Sequence, residues 1–222
     1  MNILVIEGST PQISIAVKTP EKIYQESEHC RNISDNILAL IERVLKKTVL
    51  NIKKIDILSA GIGPGSFTGL RIVCSLLKGF ELVLKKPLIT ISSFYAVAAQ
   101  HIEEKEKIAV IKDAKRGLVY GTVFQKKNGQ IKHLIPEALF DLKDFVKKHT
   151  DTECVFSGES CCFKDTIKNI LPEATIIPEI IYPQASLLLS GILNKLQQGN
   201  FTPFDKLEPL YLHRETCQIR KT

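Results

Sequence analysis

Residues 55–91, IDILSAGIGPGSFTGLRIVCSLLKGFELVLKKPLITI, read as one strand–helix–strand unit. Ile55 to Gly61 is an apolar strand, and Gly63-Pro64-Gly65-Ser66 turns the chain. A helix follows from about Ser66 to Leu84 and stops before Pro87, whose ring cannot continue it. Leu88-Ile89-Thr90-Ile91 is the next strand. Strands joined by a helix run parallel, because the connection must cross back over the sheet.

Working outward, the N-terminal side reads as a meander. Ile3 to Ile6 is an apolar strand, Gly8-Ser9-Thr10-Pro11 a turn, and Ile13, Ile15 and Val17 alternate with period two. A turn at Thr19-Pro20-Glu21-Lys22 leads to a polar third strand over Ile23–Glu28. Asn32 or Ser34 can cap a helix with apolar positions Ile37, Leu40, Ile41, Val44 and Leu45, and Lys46-Lys47 suit its C-terminal dipole. On the far side, Ser92 or Ser93 caps a helix from Phe94 to about Glu104.

A shorter version of the same order then recurs. Strands are expected over 108–113, 117–124, 130–134, 153–157 and 175–177, with a hairpin turn at Lys126-Lys127-Asn128-Gly129. Helices are expected over 142–148, 163–170 and 185–198, and the tail through Pro203 and Pro209 is irregular. The expectation is an α/β protein of two lobes, 1–102 and 103–222, with mixed sheets.

A chain of 222 residues with 44% hydrophobic and 24% charged residues can bury a sufficient core without disulfides or metal. Its six cysteines, at 30, 74, 154, 161, 162 and 217, form no C-x-x-C pair, and His29, His101, His133, His149 and His213 fall at no metal-clamping spacing. No metal site is expected, and free thiols fit a reducing compartment. The opening residues do not read as a signal peptide, and no apolar run approaches the ~20 residues of a membrane span. A cytoplasmic protein without membrane contact is expected. Lys and Arg total 30 against 24 acids, a net charge of +6. That excess suits tRNA or acidic-protein contact, but it is as common in proteins that bind no nucleic acid.

Two loops are candidates for anion binding. Gly63-Pro64-Gly65-Ser66-Phe67-Thr68-Gly69 joins a strand to a helix, where unpaired amides could face a phosphate. It has neither the Rossmann spacing nor the lysine of a P-loop, and a tight turn explains its glycines equally. Glu7-Gly8-Ser9-Thr10 could approach a phosphate or hold a metal's water, or be a plain hairpin turn. Asp113, Lys115 and Arg116 form an acid–base cluster or a solvated turn with ion pairs. No G-x-S-x-G elbow occurs, and Cys161-Cys162 has no nearby histidine. No catalytic residue is assigned.

The helix after the glycine loop is unusual. Leu70, Cys74 and Leu77 share one face, while Ile72, Val73, Leu76, Phe80 and Val83 cover much of the rest. Either it lies central in its lobe or a partner covers its outer face. The second reading predicts an interface of Ile37, Leu40, Ile41, Val44, Leu70, Val73, Leu76, Leu77 and Phe80.

The string Gly63-Pro64-Gly65-Ser66-Phe67-Thr68-Gly69-Leu70-Arg71 resembles the signature of the bacterial TsaB (YeaZ) family. Leu4 to Thr10 resembles that family's opening strand and turn. Lys85-Lys86-Pro87-Leu88 and Ser92-Ser93 resemble the stretch leading to its third helix. Asp113 to Tyr120 resembles its D-A-R-R-G-E-V-Y segment, and Pro209-Leu210-Tyr211-Leu212 its closing P-x-Y-L-R. The resemblance covers nearly the whole chain and is weakest from about 125 to 180. It implies a two-lobed actin-like/Hsp70-like, ribonuclease H-like fold. It also implies a non-catalytic subunit that serves TsaD and TsaE in making N6-threonylcarbamoyladenosine at position 37 of tRNAs reading ANN codons. The implied docking elements, for TsaD or for a second copy, are the two N-lobe helices. ATP and metal would sit on the partner subunits and tRNA would be met through the complex, with no cofactor held tightly by this chain. A glycoprotease-like metallopeptidase and an independent ATPase are the alternatives. Two departures stand out: Glu7 replaces the family's usual Asp, which weakens a nucleotide role for Glu7, Ser9, Thr10, Gly63, Gly65 and Ser66. Ile33-Ser34-Asp35 replaces its His-Ser-Glu, which alters the interface.

Overall fold

The computed structural model describes residues 1–101 and 107–212. The expected lobe boundary at 102, and His213 and Cys217, lie outside the described residues. β1 (Ile3–Glu7), β2 (Gln12–Lys18) and β3 (Ile23–His29) form the antiparallel meander. α1 (Ile33–Thr48) leads to β4 (Ile57–Gly61), which lies parallel to β1 with Ile3 opposite Ile57. α2 (Phe67–Leu84) crosses back to β5 (Leu88–Ile91), parallel to β4, and α3 (Ser93–Ala99) follows. The strand order is β3-β2-β1-β4-β5.

The second half repeats this plan. β6 (Lys107–Lys115), β7 (Leu118–Lys127) and β8 (Gln130–Asp141) make an antiparallel meander. α4 (Leu142–His149), β9 (Cys154–Gly158), α5 (Lys164–Ile170), β10 (Thr175–Ile176) and α6 (Leu189–Gln197) complete it. Its order, β10-β9-β6-β7-β8, is the same arrangement read from the other edge, with β9 parallel to β6 and β10 parallel to β9. Two mixed sheets of this duplicated topology make the two-lobed actin-like, ribonuclease H-like fold.

Burial on both faces explains the apolar runs. In β1, Leu4 and Ile6 face α1 and α2, whereas Ile3 and Val5 face a second core filled by α3, a 3-10 turn over Ala185–Leu188, and α6. Ile108, Val110, Phe124 and Val155 of the second sheet enter that same core. The outer face of the second sheet, with Ala109, Ile111 and Phe156, packs on Phe145, Val146 and Ile167 of α4 and α5. The two sheets therefore share one central apolar layer. No helix among the described residues is long and apolar enough to cross a membrane.

Three elements differ from expectation. β8 runs to Asp141, not 134, straight through Pro136. It is an edge strand, and Pro136 falls where the register slips between the Val123–Ile135 and Gly121–Ala138 pairs, so its missing N–H interrupts no ladder bond. α1 starts after Asn32 as expected, but neither candidate caps it: the Asn32 side chain makes no cap bond, and Ser34 turns to Asp35. α3 ends at Ala99, short of Glu104, which lies outside the described residues.

The tail is not loose. The Thr202 N–H donates to the Leu88 carbonyl (2.8 Å), and the Thr202 hydroxyl accepts from the Thr90 N–H (3.0 Å), so the strap covers the exposed edge of β5. Leu207 then drops into the core beneath α1 and α2, and the Leu210 N–H reaches the Ile62 carbonyl (2.8 Å). If Leu207 anchors the strap, Leu207→Ala should cost ~2–4 kcal/mol by urea unfolding, the range for truncating a buried leucine. A change below ~0.5 kcal/mol would show the strap to be passive.

Candidate functional site

The two candidate anion loops are stitched to each other. The Ser66 N–H donates to the Ser9 carbonyl (2.7 Å). The Gly63 N–H donates to Ser93 Oγ (3.0 Å), and Ser66 Oγ caps α2 by accepting from the Gly69 N–H (3.2 Å). Ser9's own N–H goes to Glu7 Oε1 (2.7 Å). The Ser9, Gly63, Ser66 and Gly69 amides are thus engaged inside the protein. The glycines serve this seam. A Cβ on Gly65 would lie 2.2 Å from the Ser9 carbonyl oxygen, and one on Gly69 2.3 Å from that of Gly8.

Glu7 is wholly buried beneath the seam. Its longer side chain places Oε2 where a Cβ on Gly61 would come within 1.8 Å, so Gly61 supplies the room the extra methylene needs. Oε2 and the Ser9 hydroxyl make no hydrogen bond of good geometry, although the Ser9 hydroxyl lies close enough to act on the carboxyl. Desolvation raises the Glu7 pKa above the usual glutamate range, and the Ser9 and Ser93 hydroxyls oppose this without reversing it. A carboxyl so placed faces the interior and not a solvated metal.

Between the sheets, the crevice lined by Ser9, Thr10, Pro64, Lys112, Glu159 and Tyr182 has a volume of about 20 Å³, room for about one water molecule. Lys112 Nζ is paired with Glu159 (2.7 Å), which also accepts from the Asp113 N–H (2.9 Å). Asp113 is held below its ordinary pKa, chiefly by Lys115, whose Nζ lies 2.6 Å away. The Asp113–Arg116 cluster is thus an ion-paired turn. Burial pushes the Cys74 and Cys154 thiols up to about 11, and desolvation raises Cys162 as well, so none is an activated nucleophile. Among the described residues, no group of three His, Cys, Asp or Glu side chains is placed to hold a metal ion.

The predicted interface divides in two. Ile37, Leu40, Ile41 and Val44 of α1, and Leu70, Val73 and Leu77 of α2, are buried in the core of their own lobe. They cannot meet a partner directly: α1 and α2 pack on the sheet, and the strap's Leu207 joins the same core. Leu76 and Phe80 are only partly buried, packed against the margin of that core. With Ile72 and Val83 they form a stripe along the outside of α2, at i, i+4, i+8 and i+11. Val83 is 79% exposed, and nothing lies within 4 Å of a Cβ built on Gly79 beside the stripe. Leu38 of α1 and Val49 just past its end, 91% exposed, are also uncovered. Ile72 and Val83 were absent from the predicted set. Their spacing from Leu76 and Phe80 was the signal that marks them.

Comparison with known proteins fits this architecture. A family model described as TsaD: tRNA N6-adenosine threonylcarbamoyltransferase matches residues 26–199. Among curated relatives, the tRNA threonylcarbamoyladenosine biosynthesis protein TsaB of Buchnera aphidicola (from Schizaphis graminum) is 34% identical over 129 residues, 57% of this chain and 61% of that protein. TsaB of Bacillus subtilis is 28% identical over 77% of both chains, and TsaB of Haemophilus influenzae 25% over 97% of this chain and 94% of its own. The match thus spans about three-fifths of the Buchnera protein and nearly all of the Haemophilus one. The crystal structure of YeaZ from Pseudomonas aeruginosa superposes with a TM-score of 0.84 at 20% identity, covering 95% of this chain and 100% of that one. The chain belongs to this threonylcarbamoyltransferase family, in its TsaB (YeaZ) branch.

Gly65→Ala should destabilise by ~1–3 kcal/mol in urea unfolding through overlap with Ser9. Gly79→Ala, in open space on a helix, should stabilise by ~0.5–1 kcal/mol. For Glu7, the raised pKa means that the folded state binds the proton more tightly than the unfolded chain. Its favourable contribution is complete below the unfolded value and is lost as pH rises through the folded one. Wild-type stability should therefore fall relative to Glu7→Gln across that window. A pH-independent difference between the two would refute the placement of this carboxyl.

Proposed function

We propose that this chain is a non-catalytic subunit that docks on a TsaD-like catalytic chain and activates it. The reaction served is formation of the threonylcarbamoyl group on N6 of adenosine 37 in tRNAs that read ANN codons, with a TsaE-like ATPase as third partner. The observation that carries the reading is the outer stripe of α2. Ile72, Leu76 and Phe80 make an apolar ridge that its own lobe covers only in part, ending at the exposed Val83 and lying beside the small residues Ser75 and Gly79. A ridge next to small residues suits the close approach of a second helix. A second copy of this chain would use the same ridge, so homodimer and heterodimer compete for it.

The interior supports the same reading. Amides around Ser9 and Ser66 are engaged with each other, and the crevice between the sheets has room for about one water. ATP and metal belong, on this view, to the partner subunits. The relatives' names supply the tRNA pathway, and the family model supplies the related catalytic chain.

The test is association with the candidate catalytic chain, measured by calorimetry. Val83→Asp alters an exposed side chain and should leave folding intact, while Leu76→Arg and Phe80→Arg bury an unpaired charge in the complex. Each should weaken association by up to ~10³-fold, with circular dichroism unchanged. Lys147→Glu, on α4 at the far side, should have no effect. Full association of the Val83 and Phe80 variants would sink the proposal, as would ATP turnover by the chain alone.

A further inference from the structure

A groove of about 690 Å³ opens where the first turn of α2, the β6–β7 turn and the C-terminal strap meet. It is larger than the crevice between the sheets and separate from the outer stripe of α2. Its walls carry Phe67, Tyr120 and Tyr211, its floor Leu70 and Leu118, and its rim three cations, Arg71, Lys115 and Arg116. No acid lines it among the described residues. The volume falls within the ~300–1,000 Å³ of small-molecule sites.

The groups are ordered with respect to one another. The Arg71 guanidinium lies over the face of Phe67, 3.7 Å from its centroid, and Nε donates to the Tyr211 hydroxyl at 3.0 Å. The Phe67 and Tyr211 rings sit 5.7 Å apart at 44°. Both are about half exposed, at 55% and 47%, an unusual state for two aromatic rings held in place. On the opposite rim, Lys115 and Arg116 both take left-handed backbone conformations, φ 68° and 57°, which side chains rarely adopt. The turn thereby sets two adjacent cations beside the groove, Lys115 shared with Asp113 and Arg116 exposed.

Ring faces, a guanidinium plane and cations together match the surface that takes unpaired nucleic acid, where bases stack and phosphates meet positive charge. An acidic peptide would use the cations but leave the aromatic faces without a planar partner. A duplex keeps its bases stacked inside and cannot offer one. We infer that this groove binds an unpaired RNA segment, one base against the Phe67–Arg71–Tyr211 cluster and its phosphates at Lys115 and Arg116. The site lies on this chain alone and does not depend on partner docking, which uses the outer stripe of α2.

The experiment is fluorescence anisotropy of a labelled single-stranded RNA heptamer titrated with the full chain. Saturable binding is expected, weakening as salt rises. Phe67→Ala and Tyr211→Ala should each weaken it ~5–100-fold, the range for losing one stacked base. Arg116→Gln should weaken it and reduce the slope of log K against log salt by about 0.7, the loss of one phosphate contact on a single strand. Lys53→Gln, remote from the groove, should change neither. All of these side chains are exposed, and near-ultraviolet circular dichroism checks that each variant is folded. The inference is overturned if the wild type does not bind, if the groove variants bind as it does, or if a duplex of equal length binds as tightly. Displacement by AMP or by a poly-glutamate peptide at the heptamer's own affinity would also overturn it, in favour of a mononucleotide or an acidic protein. None of these failures touches the association measured through Val83 and Phe80.

Discussion

The constraint on which the rest depends is a backbone-to-backbone seam. The turn after β1 and the loop before α2 approach until the Ser9 carbonyl accepts from the Ser66 N–H. Gly65 and Gly69 are required because the Ser9 and Gly8 carbonyl oxygens occupy the space a Cβ would fill. This contact sets how closely α2 lies on the sheet, hence the depth of the core beneath it and the direction of its outer face. It also engages the Ser66 amide, at the start of α2, inside the protein.

Closure continues through the centre of the molecule. Glu7 lies under the seam with one carboxylate oxygen making no hydrogen bond of good geometry, a cost that an exposed carboxylate would not carry. Burial of this kind is tolerated where the surroundings are rigid, and here they are. The layer of Ile3, Val5, Phe94, Ile108, Val110 and Phe124 ties the two sheets into one core. In a nucleotide-driven protein the layer between two lobes must part and close. Here it is packed with large apolar side chains, and the strap is fastened to the first sheet at Thr202, Leu207 and Leu210.

Much of this was legible in the sequence because it rests on local rules. The meander, the Pro87 stop, the parallel crossover and the repeated order all follow from periodicity and turn chemistry, and each lies within a few residues of its expected place. What sequence could not resolve is which side of an apolar helix is covered. Leu70, Val73 and Leu77 read the same in a list as Leu76 and Phe80, yet the sheet and the strap take the first three and leave the others only partly buried. The covering residue, Leu207, lies more than a hundred positions away in a stretch read as irregular. The loops were ambiguous for a similar reason. A glycine that admits a phosphate and a glycine that admits a carbonyl oxygen carry the same letter, and only the neighbour at 2.2 Å distinguishes them. Pro136 shows the reverse case: a proline breaks a central strand but is harmless at an edge bulge, and β8 runs through it.

α2 is the element on which these features converge. Its inner face is fixed on the sheet by Leu70, Val73 and Leu77, its N-terminus by the seam, and its flank by the strap, where Lys78 lies over the Phe204 ring at 5.8 Å. A helix held from three directions cannot shift or roll to suit what binds it. Its free side therefore presents Ile72, Leu76, Phe80 and Val83 in one arrangement only. Ordering an interface normally costs ~0.5–1.5 kcal/mol for each mobile side chain immobilised, and a helix already fixed reduces the backbone share of that cost. The same rigidity carries Phe67 and Arg71, on the first turn of α2, to the rim of the basic groove. Where the helix can go is thus decided by two glycines and the two carbonyl oxygens they admit.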